Sequence, residues 1–220
     1  MIIAIDGPSG SGKSTLGRML ARALNLLYID TGSMYRAVAL AAIDAHVDPT
    51  DTEAVTALAN RIEIDLEGDP DSLSVLLNGR DITEQIRTEG VTAMSSIVST
   101  IPGVRRAMVE RQRAMGKRGA VLNGRDIGTV VFPDADIKFF LTAVPAERAE
   151  RRFKEDQLSS NATLEETLAD MIERDQRDST RADSPLKVAD DAIVVDSTGK
   201  TIDQVFKQMM ESVSNVHRNN

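Results

Sequence analysis

Apolar residues along the chain fall into short unbroken runs separated by longer stretches of helical spacing. Ile2–Ile5 is such a run and stops at Asp6-Gly7-Pro8, which reads as a buried strand ending in a loop. From Ser14 to Leu24 the apolar positions Leu16, Met19, Leu20, Ala23 and Leu24 recur at helical spacing. Leu26–Ile29 is a second apolar run, after which Thr31 suits the cap of an Ala-rich helix reaching about Ala45. A further helix is expected over Thr52–Arg61. Ile62–Leu66 and Leu73–Leu77 alternate like strands across the turn Gly68-Asp69-Pro70-Asp71, and Asn78-Gly79 is a second turn signal. This β-rich patch interrupts an otherwise alternating strand–helix pattern, so it reads as an insertion. Helices are expected over about Glu84–Ser99 and Gly103–Met115, with Pro102 at the start of the second.

Ala120–Leu122, Ile137–Leu141 and Ala192–Val195 are short apolar runs of the kind found in a parallel sheet. Glu147–Asp191 is the most charged stretch. It reads as helical at both ends with a break at Ser159-Ser160-Asn161, and its few apolar residues suit a mobile flap better than a packed layer. Ile202–Val213 closes the pattern as an amphipathic helix. No internal repeat, low-complexity tract or interdomain linker is visible, and the alternation argues a doubly wound α/β sheet.

Composition narrows the chemistry. Of 220 residues 41% are hydrophobic, enough for a real core, while 3% aromatics and no Trp exclude base-stacking platforms as the main design. Net charge is −8, from 26 basic and 34 acidic residues, which argues against binding nucleic acid or an anionic membrane wholesale. Arg outnumbers Lys 19 to 7, and Arg grips phosphate bidentately, so local anion sites fit inside an acidic protein. There is no Cys, and the only histidines are His46 and His217, so disulfides, zinc–sulfur sites and a Ser-His-Asp triad are not expected. With no basic leader and no long apolar run, a soluble cytoplasmic chain is expected.

Gly7-Pro8-Ser9-Gly10-Ser11-Gly12-Lys13-Ser14 satisfies G-x-x-x-x-G-K-[ST] at every fixed position, between an apolar strand and a helix. Its glycines let successive N–H groups point inward at phosphate oxygens, and the following helix adds its N-terminal dipole. Lys13 reaches the β- and γ-phosphates, and the Ser14 hydroxyl suits Mg²⁺. A nucleoside triphosphate is therefore expected. Switches, motors and kinases share this loop. No Asn-Lys-x-Asp guanine reader occurs, and Asp65-Leu66-Glu67-Gly68 matches a switch pattern only inside the β-rich patch, where it reads as chance. A motor would normally be larger. A small-molecule kinase needs a second anion site, for which Thr31 and Arg36, the Asn123-Gly124-Arg125-Asp126 segment after a buried run, and Arg148, Arg151 and Arg152 are candidates. Arg174, Arg177, Asp178 and Arg181 are spaced to share one helix face, suited either to ion pairing at the surface or to stabilising a transferring phosphoryl group.

The phosphate loop, Asp30-Thr31-Gly32-Ser33-Met34-Tyr35-Arg36, Asn123-Gly124-Arg125-Asp126-Ile127-Gly128-Thr129 and Glu173 to Arg181 together resemble bacterial cytidylate (CMP/dCMP) kinases, over essentially the whole chain. The resemblance implies a P-loop kinase: a central parallel five-stranded sheet flanked by helices, a β-rich monophosphate-binding insertion and a helical lid. Its parts would be a core over about 1–35, 118–147 and 183–220, an insertion over about 36–117 and a lid over about 148–182. It implies a monomer acting on small-molecule nucleotides, with ATP as co-substrate and Mg²⁺. ATP would lie on Gly7, Pro8, Ser9, Gly10, Ser11, Gly12, Lys13, Ser14 and Thr15, with Ser14 as metal ligand. Thr31, Tyr35 and Arg36 would hold the CMP sugar–phosphate. Ser96, Arg105 and Asp126 would contact cytosine, whose amine donor beside two acceptors suits a carboxylate paired with an arginine. Arg125 would bind phosphate, and Arg174, Asp178 and Arg181 would approach pentose and phosphates, Asp178 at the ribose hydroxyls. Lys13, Arg125, Arg174, Arg177 and Arg181 would be the catalytic set. Asn123 stands where the family usually has an acidic residue, and it serves either the metal's outer shell or the turn before Gly124. Another small-metabolite or UMP-preferring kinase, and a nucleotide-dependent regulatory switch, are the alternatives.

Overall fold

The structure is a computed structural model that describes residues 1–156 and 162–219. Its strands are β1 (Ile2–Asp6), β2 (Leu27–Asp30), β3 (Ile64–Glu67), β4 (Ser74–Leu77), β5 (Arg80–Asp81), β6 (Ala120–Gly124), β7 (Ile137–Thr142) and β8 (Ile193–Asp196). Its helices are α1 (Lys13–Leu24), α2 (Thr31–Asp44), α3 (Thr52–Arg61), α4 (Glu89–Val98), α5 (Pro102–Gly116), α6 (Pro145–Asp156), α7 (Leu164–Thr180) and α8 (Ile202–Asn219). Five strands form one parallel sheet in the order β2-β6-β1-β7-β8, and β3-β4-β5 form a separate antiparallel sheet. The chain divides into two compact units, Met1–Tyr28 with Arg118–Asn220, and Ile29–Lys117.

In the first unit, β1 lies between β6 and β7, with Asp6 level with Gly124 on one side and Phe140 on the other. The loops leaving β1 and β6 therefore emerge at the same carboxyl edge, where open α/β sheets bind ligands. Ile3, Ile5, Val121, Leu122, Phe139 and Leu141 fill the sheet interior. α1 buries Leu16, Leu20 and Ala21, and α8 buries Val205, Met209 and Val213 at fourfold spacing. α6 packs on α7, whose N-terminus carries a full capping box between Thr163 and Glu166. The charged stretch is thus more packed than its composition suggests, with Ala149 and Met171 buried. Its C-terminal end is also not helical beyond Thr180. The expected break at Ser159-Ser160-Asn161 lies outside the described residues.

In the second unit, α2 packs against α4, and α3 against α5. α2 is capped by Asp30, whose carboxylate accepts from Gly32 N–H at 3.0 Å, and Thr31 is already inside the helix. Thr31 was expected to cap; the carboxylate one residue earlier reaches the free amide instead. The single helix expected from Glu84 is also split. Gln85–Arg87 is a 3₁₀ turn, and Thr88 breaks out in extended conformation to cap α4 by accepting from Val91 N–H. Strand β5 has only two residues and carries no apolar signal.

Candidate active site

The phosphate loop joins β1 to α1 in a backbone that only glycine permits at its first position. Gly7 has φ +145°, and a Cβ there would lie 2.0 Å from the Leu141 carbonyl oxygen. Gly10 is similar, with φ +69° and the Arg148 carbonyl 2.5 Å from a would-be Cβ. The loop is therefore seated directly on β7 and α6.

Lys13 is buried and folds back across the loop, donating to the Pro8 carbonyl at 2.6 Å and more weakly to Ser11 Oγ at 3.4 Å. Burial, with Arg125 and Arg174 close by, pushes its ammonium well below the ordinary lysine range, and Asp6 and Asp175 oppose that push. Ser9 is tied to the helices behind the loop. Its N–H donates to Asp175 Oδ1 at 3.1 Å, and its carbonyl accepts from Arg148 Nη1 at 2.8 Å. The same Arg148 nitrogen reaches Asp175 Oδ2 at 2.6 Å, and Arg148 Nε donates to the Ala143 carbonyl.

Ser14 opens α1 on an exposed turn, and its hydroxyl accepts from the Asn123 side-chain amide at 3.1 Å. The turn expected before Gly124 is not there: Asn123 and Gly124 both lie in β6, paired with Ile5 and Asp6, and the Asn123 side chain is used on the Ser14 hydroxyl instead. Among the described residues no group of three His, Cys, Asp or Glu could itself hold a metal. The donor set suits Mg²⁺, which takes most of its ligands from phosphate and water and needs few from protein.

Past the end of β6 a chain of alternating charge begins. Arg125 Nε donates to Asp178 Oδ2 at 2.9 Å, Asp178 Oδ1 accepts from Arg181 Nη1 at 3.4 Å, and Arg181 Nη2 lies 3.8 Å from Asp126 Oδ1. Arg181 Nε also donates to the Ser184 carbonyl at 2.7 Å, and all four side chains are at least four-fifths buried. Burial raises the Asp178 pKa, but Arg125, Arg174 and Arg181 outweigh it and hold the carboxyl below its ordinary range. Arg177, expected on the same face, instead pairs with Glu173 on the preceding turn of α7 and stays more than a third exposed. Lys13, Arg125, Arg174, Asp178, Arg181 and Asp126 are thus brought together in the first unit, while Arg177 pairs with Glu173.

In the second unit Arg36 lies 3.2 Å from Asp30, so the helix cap and the arginine share one carboxylate. The Arg105 guanidinium lies 5.5 Å from the centre of the Tyr35 ring, is 1% exposed, and donates to the Ser99 carbonyl at 2.9 Å. Thr31 and Ser96 are buried. A buried arginine stacked on an aromatic ring keeps its planar fork fixed, which suits recognition of a planar partner.

Asp6 and Asp175 were not singled out in the sequence. Asp6 interrupts nothing, since it ends an apolar run, and Asp175 is one acid among many on a charged helix. A carboxylate closing a buried strand was the one usable signal.

Residues 3–215 match the family model described as Cytidylate kinase. The cytidylate kinase of Citrifermentans bemidjiense is 48% identical over 215 residues, covering 97% of this chain and 92% of that protein. That of Halalkalibacterium halodurans is 47% identical over 212 residues, 96% of each. A solved structure of an uncharacterized protein from Eubacterium ventriosum superposes with a TM-score of 0.54 at 11% identity, over 97% of this chain and 98% of that one, a likeness of fold alone. With a family model matched over residues 3–215 and relatives of this similarity along nearly its full length, the chain belongs to the cytidylate kinase family.

Proposed function

We propose that the chain transfers the terminal phosphoryl group of ATP to CMP or dCMP, giving ADP and CDP or dCDP. The observation that carries this reading is the crowding of cations at the phosphate loop. Burial first, and then the neighbouring Arg125 and Arg174, push the Lys13 ammonium well below its ordinary range, an arrangement of cations that is costly alone and favourable around a polyphosphate.

ATP takes the loop from Gly7 to Thr15, its phosphates accepting from the loop amides and from Lys13 once Lys13 swings off the Pro8 carbonyl. Ser14 would hold Mg²⁺, with Asn123 orienting the hydroxyl, and the ion would supply charge neutralisation at the phosphates. The acceptor is already an anion, so no strong general base is needed; positioning and charge stabilisation supply the rate. Arg125, Arg174 and Arg181 take the charge spread over the transferring group, with Arg177 at the margin. Asp126 accepts from the cytosine amine, and Asp178 serves the ribose hydroxyls. In the second unit Arg105 and Ser96 are assigned to the base, and Thr31, Tyr35 and Arg36 to the sugar–phosphate. The enzyme acts as a monomer on free nucleotides in the cytoplasm. Among the described residues no helix is long and apolar enough to cross a membrane.

ADP release coupled to a reporter, screened over AMP, GMP, UMP, CMP and dCMP, tests the reading. CMP and dCMP should exceed UMP in kcat/KM by a factor corresponding to about 1–3 kcal/mol, because a carbonyl in place of the amine sets two acceptors against each other. Equal CMP and UMP efficiencies would leave a UMP-tolerant kinase. ADP release independent of any monophosphate would leave a switch.

A further inference from the structure

Asp6 is 4% exposed at the carboxyl end of β1, and it is spent on two backbone amides far along the chain. Its Oδ1 accepts from Ile127 N–H and its Oδ2 from Gly128 N–H, both at 2.8 Å. These amides open the π-helical turn Ile127–Val131, a rare geometry that concentrates at functional sites. The turn's own cap residue is Asp126, at φ −145° and ψ 24°, and its side chain makes no cap bond. The cap is supplied instead from 121 residues away in sequence.

The Asp126 carboxylate is thereby turned away from its own turn and toward Arg181, 3.8 Å away, while the backbone immediately after it is fixed. The turn is held from its other side too. A Cβ on Gly128 would meet Lys138 Cδ at 3.0 Å and Asp6 Oδ2 at 3.4 Å, and Lys138 is itself tied to Asp191 and the Pro133 carbonyl. The charged groups acting on Asp6 are Asp126 and Lys13. A buried carboxylate costs desolvation that a neutral side chain would avoid, so its retention suits a demand for two fixed acceptors at one place.

We infer that Asp6 is a positioning residue for base selection: by gripping the Ile127 and Gly128 amides it aims the Asp126 carboxylate, and so sets the preference for CMP over UMP without touching nucleotide. This rests on the cytidylate kinase reading, in which Asp126 is the acceptor for the cytosine amine. Asn at position 6 offers one acceptor and turns a donor toward the second amide, which then loses its partner.

The experiment is steady-state kinetics of the full chain, varying ATP, CMP and UMP separately, for the parent, Asp6→Asn and Gly128→Ala. The second variant disturbs the same turn through Lys138 and leaves Asp6 in place. The CMP:UMP ratio of kcat/KM should fall about tenfold in Asp6→Asn, mainly through a higher KM for CMP, with the KM for ATP changing less than about threefold. Gly128→Ala should move the same ratio in the same direction. A ratio unchanged in both variants, or a KM for ATP rising as much as that for CMP, would make Asp6 a support for the neighbouring phosphate loop and overturn the inference. Should Asp6→Asn fail to fold, Gly128→Ala decides alone. A parent without CMP preference would instead remove the cytidylate reading, so the two failures are told apart by the parent's own ratio.

Discussion

The phosphate loop and the Arg125–Asp178–Arg181–Asp126 chain lie in the same unit and are built by opposite means. The loop is eight consecutive residues whose shape is set by backbone: glycines where a Cβ would strike the Leu141 or Arg148 carbonyl, and amides that need no side chain. The charge chain is assembled from side chains of β6's end and α7, with Arg125 and Asp178 53 residues apart, and each charge is held by the next. A backbone site is tolerant of sequence except where space forbids any side chain. A site made of mutually paired charges is tolerant nowhere, because removing one member leaves its neighbour buried and unbalanced.

The largest expected effect separates Arg177, inside α7, from Arg181, the extended residue that ends it. Arg181 belongs to the buried chain, so Arg181→Met should lower kcat by about 10²–10³, the scale of losing one preorganised charge donor. Arg177 pairs with Glu173 at the surface, so Arg177→Met should change kcat by less than about threefold. Initial rates at saturating ATP and CMP check both. Equal losses would mean that the two arginines form one face in the working enzyme, and the distinction drawn between them would fall.

Acid should act on Asp178 and Asp6, two buried carboxylates of the first unit, in opposite directions. Asp178 is held below its ordinary range, so its contribution to stability is present above the unfolded pKa of about 4 and is lost as pH falls through its lower folded value. Asp6 is pushed up to about 6, chiefly by burial, with Asp126 adding to the push and the two amides and Lys13 opposing it. Its folded state therefore takes up a proton more readily than the unfolded chain. The stability it contributes is fully present below pH 4 and is lost as pH rises through 6. Urea denaturation between pH 7 and 4.5 should show the parent gaining stability relative to Asp6→Asn on acidification, and Asp178→Asn showing no such gain against the parent in that window. A parent–Asp6→Asn difference that does not move with pH would mean that Asp6 is ionised throughout.

The smallest effect is at the metal. Asn123→Asp adds a negative charge beside Ser14 Oγ and should lower the Mg²⁺ concentration for half-maximal rate about two- to threefold, with little change in Tm. An unchanged Mg²⁺ requirement would leave Asn123 only its hold on the Ser14 hydroxyl.

What could be read from the sequence follows the same division. The phosphate loop was legible because its constraint is local, and so was the i, i+3 relation of Asp178 to Arg181. The pairing of Asp178 with Arg125, and of Asp6 with the Ile127 and Gly128 amides, needed the sheet to bring distant segments level, which no periodicity encodes. Short-range competition accounts for the smaller differences. Asp30 outcompetes Thr31 as the cap of α2, and Thr88 stops one helix to start the next. The two residues of β5 are too few to carry a pattern.

The bond from Ser9 N–H to Asp175 has a consequence for exchange with solvent deuterium. An amide in a glycine-rich loop would ordinarily exchange fast, but this one is closed by a carboxylate on α7 and backed by Arg148. Its proton leaves when the contact between α7 and the loop opens. The Ser9 amide is thus a built-in clock for that helix, read in the nucleotide-free protein at a single residue.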